Sequence, residues 1–359
     1  DAIGEALDHN LDLLARRYDV PIAETRQITA RLRPNPILST DLMYQDLLGS
    51  RFAKDPETQA GPPEVAIRMD YLIERGGKRV RRMELAAAER SVSELLVTEG
   101  VRQLRFAVEN AFVEAQLAQE SLAVARETLA MLESIVTVNE ARRRAGDIAA
   151  VELLRSRLAA VQFRTLVRQA DLRTSLARND LRLLLGRPAE SGEFLLDGEM
   201  RTGGLTDSLE QLRAAALDQR PDLLALRRDH ARAAANLRLQ LAQAKPDFSL
   251  GMSFNRQYAV TTGNSLGFFF AAPIPFFDRN QGGIARAGIE QRQAEARIRA
   301  LERAVLAEVE AAVQQEQARR ETLQMLEQEM VTQARQVRET MEYSYRRGEA
   351  TFVEFLDAQ

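Results

Sequence analysis

Four segments of the chain alternate apolar residues with small or polar ones at a period of two, which predicts β-strands with one apolar face. The clearest segment is KPDFSLGMSFN, in which Phe248, Leu250, Met252 and Phe254 share one face. The other three segments show the same alternation. The four predicted strands span about residues 36–46, 64–75, 246–256 and 265–276.

Each predicted strand is about as long as a strand that crosses a bilayer at a tilt. The face opposite the apolar row of the second strand carries Arg68, Asp70 and Glu74, which favours a wet lumen over a soluble sheet with one buried face. Membrane barrels have at least about eight strands, so two or three chains would have to share one barrel. The residues expected to face lipid include Leu250, Met252, Phe254, Phe268 and Phe270.

Long segments without proline predict long helices. No proline occurs between Val65 and Arg187 or after Phe276. The segment Ile284–Arg347 would reach roughly 100 Å as one unbroken helix. Its apolar residues recur at spacings of three and four, which indicates coiled-coil packing and not a thick core. This narrow stripe includes Ile298, Leu301, Val305, Val309 and Ala312.

Two glycines interrupt these helices. Gly146 and Gly348 each follow a basic last turn, and Asp147 and Glu349 then favour the start of a new helix. Each long helix should therefore turn back on itself. The predicted result is two helical hairpins whose tips lie about 100 Å from the strands.

The order helix, strand, strand, long helix, glycine turn, helix occurs twice. Ala6–Arg17 aligns with Ala216–Arg227, and Arg143–Leu154 aligns with Tyr345–Leu356. Chance similarity between Ala- and Arg-rich helices does not explain strands that recur in register. The predicted organisation is a first repeat at 1–186 with its tip at 144–147, a linker at 187–206, and a second repeat at 207–359 with its tip at 347–349.

Composition supports a helical, non-enzymatic protein. Of 359 residues, 28% are charged and 6% aromatic, and the net charge of −3 gives no electrostatic case for nucleic acid. There is no cysteine, and the histidines, His9 and His230, are far apart in sequence, so no metal site or cofactor is expected. No nucleophile elbow, phosphate-binding loop or dinucleotide fingerprint is present, which argues against an enzyme.

Several stretches resemble the TolC-like outer membrane efflux proteins. DQRPDLLALR resembles that family's hallmark in the middle of the chain, and GGKRVRR follows the second strand as it does there. PIPFFDRNQGGIARA and LRPNPILS resemble the CzcC-type branch, which serves heavy-metal efflux. The resemblance covers essentially the whole chain.

This resemblance implies a mainly α fold with membrane β-strands. Three chains would form a twelve-stranded outer-membrane barrel that continues into a helical tunnel through the periplasm. The expected function is a passive exit duct of a tripartite efflux system that exports small solutes, with heavy-metal cations as one candidate cargo. The expected partners are two further copies of the chain, outer-membrane lipid, a periplasmic adaptor (membrane fusion protein) and an inner-membrane pump.

The resemblance also assigns roles to residues near the glycine turns. Residues expected to contact the adaptor are Arg144, Gly146, Asp147, Arg347, Gly348 and Glu349. Residues expected to form the gate at the periplasmic mouth are Tyr345, Arg346, Glu354, Asp357 and Glu152.

Two departures from the family pattern bear on the gate. Ala350 occupies the position where relatives carry an arginine, so either Arg346 or Arg347 substitutes for it or the latch itself differs. The family expects a full returning helix after Gly348, and with the sequence ending at Gln359 we expect that helix to be cut short.

The main alternative from the sequence is a periplasmic coiled-coil adaptor, which also has helical hairpins that dock partners. An adaptor should contain a lipoyl-like β domain, whereas this chain has four alternating strands of membrane length. A cytoplasmic coiled-coil structural protein is a third interpretation, but it would have no reason to repeat pairs of strands.

Overall fold

The computed structural model describes residues 2–43, 64–190, 192, 194, 196–198, 203–258 and 262–358. The strands are β1 (Ile37–Met43), β2 (Glu64–Ile73), β3 (Phe248–Tyr258) and β4 (Thr262–Ala271). The helices are α1 (Ala2–His9), α2 (Leu11–Arg17), α3 (Asp19–Arg31), α4 (Lys78–Ala145), α5 (Ala150–Leu184), α6 (Leu209–Gln219), α7 (Pro221–Gln243), α8 (Gln281–Met325), α9 (Val331–Arg347) and α10 (Phe352–Asp357).

The four strands form one antiparallel sheet in the order β1-β2-β3-β4. The predicted strands are therefore confirmed, and the two predicted strand pairs join through β2 and β3. The register places the apolar rows of all four strands on the same face. One transverse row contains Thr40, Ile67, Phe254 and Leu266, and the next contains Leu38, Met69, Met252 and Phe268.

The observed strand bounds differ from the predicted ones mainly in β4. This strand ends at Ala271 and does not reach residue 276. Pro273 and Pro275 follow, and a proline has no N–H to donate to a strand ladder. Tyr44, at the end of the first predicted strand, lies outside the described residues, as do most residues of the two predicted strand connections.

The first predicted helical hairpin is present as α4 and α5. Ion pairs link the two antiparallel helices at successive levels, including Arg164–Glu133 at 2.7 Å and Arg157–Glu140 at 2.7 Å. These pairs are largely exposed, so each contributes little to stability. The closer packing comes from small residues, because the Thr174 hydroxyl lies near enough to donate to the carbonyl of Ala118 at 3.1 Å.

The second long segment is helical throughout but not uniform. A π-helical turn, Leu326–Met330, separates α8 from α9. Such a turn adds a residue and shifts the faces of the helix beyond it. Along the predicted stripe of α8, Val305 is fully buried and Ala312 is exposed. Among the described residues, none of the helices combines the length and apolar character needed to cross a membrane.

The chain forms two compact units, each drawn from several segments. One unit comprises Asp1–Arg17, Val97–Arg220 and Arg303–Gln359, and the other comprises Tyr18–Leu96 and Pro221–Glu302. The second unit contains the sheet, and its core is rich in alanine, which lets helices approach closely. The first unit has two apolar clusters, one around Leu13 and Leu181 and one that surrounds Tyr345.

Candidate functional site

Both glycine turns have the same backbone geometry. Gly146 has φ of +87° and Gly348 has φ of +82°, a region that favours glycine. In each turn, the N–H after the glycine donates to the carbonyl five residues earlier at 2.9 Å. This pair of features is a Schellman motif, which ends a helix and satisfies its last carbonyls. The predicted helix stops are therefore confirmed.

An apolar cluster packs the second turn against the first hairpin. Tyr345 of α9 stacks on Phe355 of α10, with ring centroids 5.1 Å apart, and Phe352 lies 5.9 Å from the tyrosine ring. All three aromatic side chains are buried. They contact residues of α4 and α5, namely Leu132, Ile135, Ala159 and Ala160.

The hydroxyl of Tyr345 is the polar centre of this cluster. It donates a hydrogen bond to Oδ1 of Asn139 at 2.9 Å. Burial raises the pKa of Tyr345, so the phenol stays neutral and remains a donor. Asn139 is completely buried, and its Nδ2 has no hydrogen-bond partner among the described residues.

Arg142 of α4 makes a second contact with α9. Its guanidinium donates from Nη1 to the carbonyl of Tyr345 at 3.1 Å and from Nη2 to the carbonyl of Arg346 at 2.9 Å. The guanidinium carbon also lies 5.9 Å from the centre of the Tyr345 ring. Neither Arg142 nor Asn139 can be recognised from the sequence, because both contact residues more than 200 positions away and lie near the end of an ordinary helix.

The predicted gate acids occupy different environments. Glu354 is exposed and forms a capping box, in which its carboxylate accepts from the backbone N–H of Thr351 at 2.7 Å. This hydrogen bond lowers the pKa of Glu354. Glu152 is half-buried at the start of α5, and its charge contributes to the raised pKa of Tyr345. Asp357 is exposed at the end of α10.

The remaining gate residue, Arg346, forms an ion pair with Glu342 one turn earlier at 2.7 Å. Within this chain, Glu152 lies close enough to Tyr345 for its charge to affect the phenol, while Glu354 and Arg346 each bond within their own segment. The predicted inter-residue latch between arginine and the α10 acids stays a prediction.

All six residues expected to contact an adaptor are exposed. Arg144 donates from Nε to the carbonyl of Glu140 in its own helix at 3.3 Å, and the Arg347 guanidinium lies 4.5 Å from the Tyr343 ring centre. The exposed set is Arg144, Gly146, Asp147, Arg347, Gly348 and Glu349.

In the sheet, the five residues expected to face lipid are between 44% and 77% exposed in the isolated chain. At the same height along the strands, the opposite face of the sheet carries charged side chains. There Arg68 forms an ion pair with Asp70 at 2.8 Å, and its guanidinium lies 4.6 Å from the centre of the Phe269 ring. The predicted lipid-facing set is Leu250, Met252, Phe254, Phe268 and Phe270.

Across the described ranges, no three histidine, aspartate or glutamate side chains lie close enough together to hold a metal ion. His9 is exposed, and its Nδ1 lies 3.1 Å from the carbonyl oxygen of Glu5. His230 is half-buried in α7.

Comparison with known proteins identifies related sequences. The profile of the family described as "Outer membrane efflux protein" matches residues 2–187 and 212–359. The cobalt-zinc-cadmium resistance protein CzcC of Cupriavidus metallidurans is 24% identical over 364 residues, covering 100% of this chain and 82% of the relative. The probable outer membrane lipoprotein SilC of Salmonella typhimurium is 28% identical over 309 residues, covering 81% of this chain and 64% of the relative.

The fold also matches solved structures. The crystal structure of CusC, reported in connection with transmembrane channel formation, superposes with a TM-score of 0.77. The match covers 99% of this chain and 84% of that chain at 21% sequence identity. At this level of identity, the likeness establishes the arrangement of helices and strands.

Proposed function

This chain belongs to the outer membrane efflux protein family, and from that premise we propose that three copies of it form one channel with a gate at its periplasmic mouth. The protein is an outer-membrane exit duct of a tripartite efflux system that extends into the periplasm, and the alternative of a periplasmic adaptor is wrong. Transport through this duct is proposed to be passive, with the inner-membrane pump as the source of energy.

The proposed assembly of three copies rests on one observation, the open four-stranded sheet. One face presents an apolar row on every strand, and β1 and β4 each have an edge that pairs with no other strand among the described residues. Lipid cannot satisfy the N–H and C=O groups of an open edge, so a membrane sheet must close into a barrel. Three copies supply twelve strands, which exceeds the minimum of about eight.

Reconstitution tests the channel directly. The full-length protein is purified in mild detergent, its mass is measured by light scattering with the detergent subtracted, and its conductance is recorded in planar bilayers. Three chains per particle and ion conductance are expected. A stable monomer with native strand content would contradict the shared barrel, because four strands cannot close.

The exposed turns are the proposed docking surface for a periplasmic adaptor and its pump. Both turns present arginine beside an acidic residue, as in Arg347 and Glu349, so they suit a partner with paired charges of both signs. Exchanging these two charges should weaken co-purification of the adaptor with the channel, while bilayer conductance of the purified channel persists. Unchanged co-purification would remove the turns from the docking surface.

Heavy-metal cations are the proposed cargo, since the relative CzcC is named for cobalt, zinc and cadmium resistance. The described residues form no cluster that would retain a metal, which suits a duct that passes cargo without binding it tightly. Loss of the protein should lower cellular tolerance to these cations. Equal tolerance with and without it would reject metal as the cargo.

A further inference from the structure

The end of α9 carries carbonyl groups that its own helix does not satisfy. The last four carbonyls of any helix lack intrahelical partners, and the helix dipole makes this end negative. At this end, N–H groups of the turn donate to the carbonyls of Ser344 and Tyr345, whereas the cationic guanidinium of Arg142 donates to the carbonyl of Arg346 and is a second donor to that of Tyr345. The contact is charge-assisted, so it is stronger than an ordinary hydrogen bond, and it links α9 to α4 of the first hairpin.

A second polar contact links the same two helices inside the apolar cluster. The Tyr345 hydroxyl donates to Asn139, whose own Nδ2 is buried and unpaired. A site selected only for packing would carry leucine or phenylalanine here, because an unsatisfied buried donor costs free energy. The amide oxygen of Asn139 fixes the position of the tyrosine hydroxyl.

The turn itself does not need Asn139 or Arg142 in order to form. Both turns form the same Schellman hydrogen bonds. In the alignment of the two repeats, however, Ser344 stands at the position of Arg142, and Met341 stands at the position of Asn139. The repeats therefore diverge at the residues through which α4 contacts the end of α9.

Gly348 makes room for this contact. A Cβ atom at residue 348 would lie 3.1 Å from Nη2 of Arg142, the nitrogen that bonds the Arg346 carbonyl. A side chain at this position would push against the guanidinium as well as strain a backbone with φ of +82°. The positive φ of the turn and the close approach of Arg142 therefore both favour glycine at position 348.

We propose that Asn139 and Arg142 are positioning residues that lock the end of α9 to the first helical hairpin in the closed state of the channel. The inference rests on the proposed function, since it assigns the lock of that channel's gate. Opening then requires the Tyr345 hydroxyl to leave Asn139 and the α9 carbonyls to leave Arg142. The lock lies within one chain and needs no arginine at position 350.

Two conservative variants of the full-length channel test the lock. Tyr345→Phe keeps the ring and removes the hydroxyl, and Arg142→Lys keeps the charge but loses the two-pronged contact. Each should raise the resting open probability in planar bilayers about fivefold, as expected when one hydrogen bond that favours the closed state is lost. Tyr343→Phe and Arg143→Lys are matched controls, because Tyr343 is exposed and Arg143 donates within the first turn, to the carbonyl of Ile148.

A cross-link provides a second measurement, in which a covalent bond replaces the contact that Arg142 makes with α9. The chain has no cysteine, so Arg142→Cys combined with Arg346→Cys introduces a single reactive pair in this sequence. Joining the pair with a short bifunctional thiol reagent that contains a cleavable disulfide should abolish opening, and a reductant should restore it.

The possible outcomes distinguish a failure of the proposed lock from a failure of the proposed channel. Open probabilities of Tyr345→Phe and Arg142→Lys equal to wild type, at unchanged unfolding temperature, would overturn the lock and leave the channel intact. Cross-linked channels that still open would do the same. A trimer that never conducts, including the wild type, would overturn the proposed function and the lock together.

Discussion

The Glu354 side chain has two roles, because its carboxylate caps a helix and also carries a negative charge. Its carboxylate closes the capping box with Thr351 and so stabilises the start of α10. The same negative charge is a proposed element of the gate, together with Asp357. The two roles can be separated, because glutamine can replace glutamate in a capping box but carries no charge.

We therefore expect Glu354→Gln combined with Asp357→Asn to raise resting conductance in bilayers by about two- to fivefold, since exposed charge contacts contribute modestly. The folded state should be retained, because the cap remains. Thr351→Val is the complementary control, since it removes the cap and keeps both charges. Conductance equal to wild type in the double variant would exclude these acids from the gate.

How far single residues could be predicted depends on the sequence distance of their contacts. The turn glycines were identified from their local setting, a basic helix end followed by an acid. Gly186 carries no such signal, yet it has φ of +71°, and a Cβ there would lie 2.2 Å from the carbonyl oxygen of His9. Asn139 and Arg142 were missed for the same reason, since a helix face does not reveal which distant carbonyl it will meet.

Among the elements, the strands were the most predictable, because alternation at a period of two matches the pleat of a strand and no helical period. Their existence and facing followed from the sequence, whereas the pairing of β2 with β3 came from the structure. The predicted fourth strand extends beyond the observed end of β4, because the alternation in the sequence continues past Pro273. The π-helical turn between α8 and α9 has no counterpart in the apolar pattern and was not predicted.

A single introduced charge can test which face of the sheet contacts lipid. Met252 lies on the apolar face, directly opposite Met69 on β2 and Phe268 on β4. Met252→Arg should destabilise the membrane-inserted protein by about 2–4 kcal/mol if this row lies near the bilayer midplane. The measurement is equilibrium unfolding in lipid bilayers. Asn255→Arg, on the opposite face of the same strand, should cost much less, and equal costs at both positions would contradict the assigned facing.

For the whole molecule, the decisive feature is that the sheet order leaves β1 and β4 at opposite edges. With neighbouring strands about 4.8 Å apart, these edges are separated by roughly 14 Å across the sheet. A disulfide requires Cα atoms within about 7 Å, so cysteines on the two edges cannot join within one chain. In a barrel shared between copies, β1 of one copy lies beside β4 of the next.

Cysteine pairs on the two edge strands should therefore cross-link chains to one another. We expect Thr40→Cys combined with cysteine at Leu266, Phe268 or Phe270 to give covalent dimers and trimers under oxidising conditions, with the best β4 position reporting the stagger between copies. Denaturing gel electrophoresis reads the result. Ile67→Cys with Phe254→Cys is the control, because these residues are paired on neighbouring strands and should join within one chain. If every edge pair yielded only monomer while the control pair formed its internal disulfide, β1 and β4 would not meet between copies, and the barrel would have to close by another arrangement.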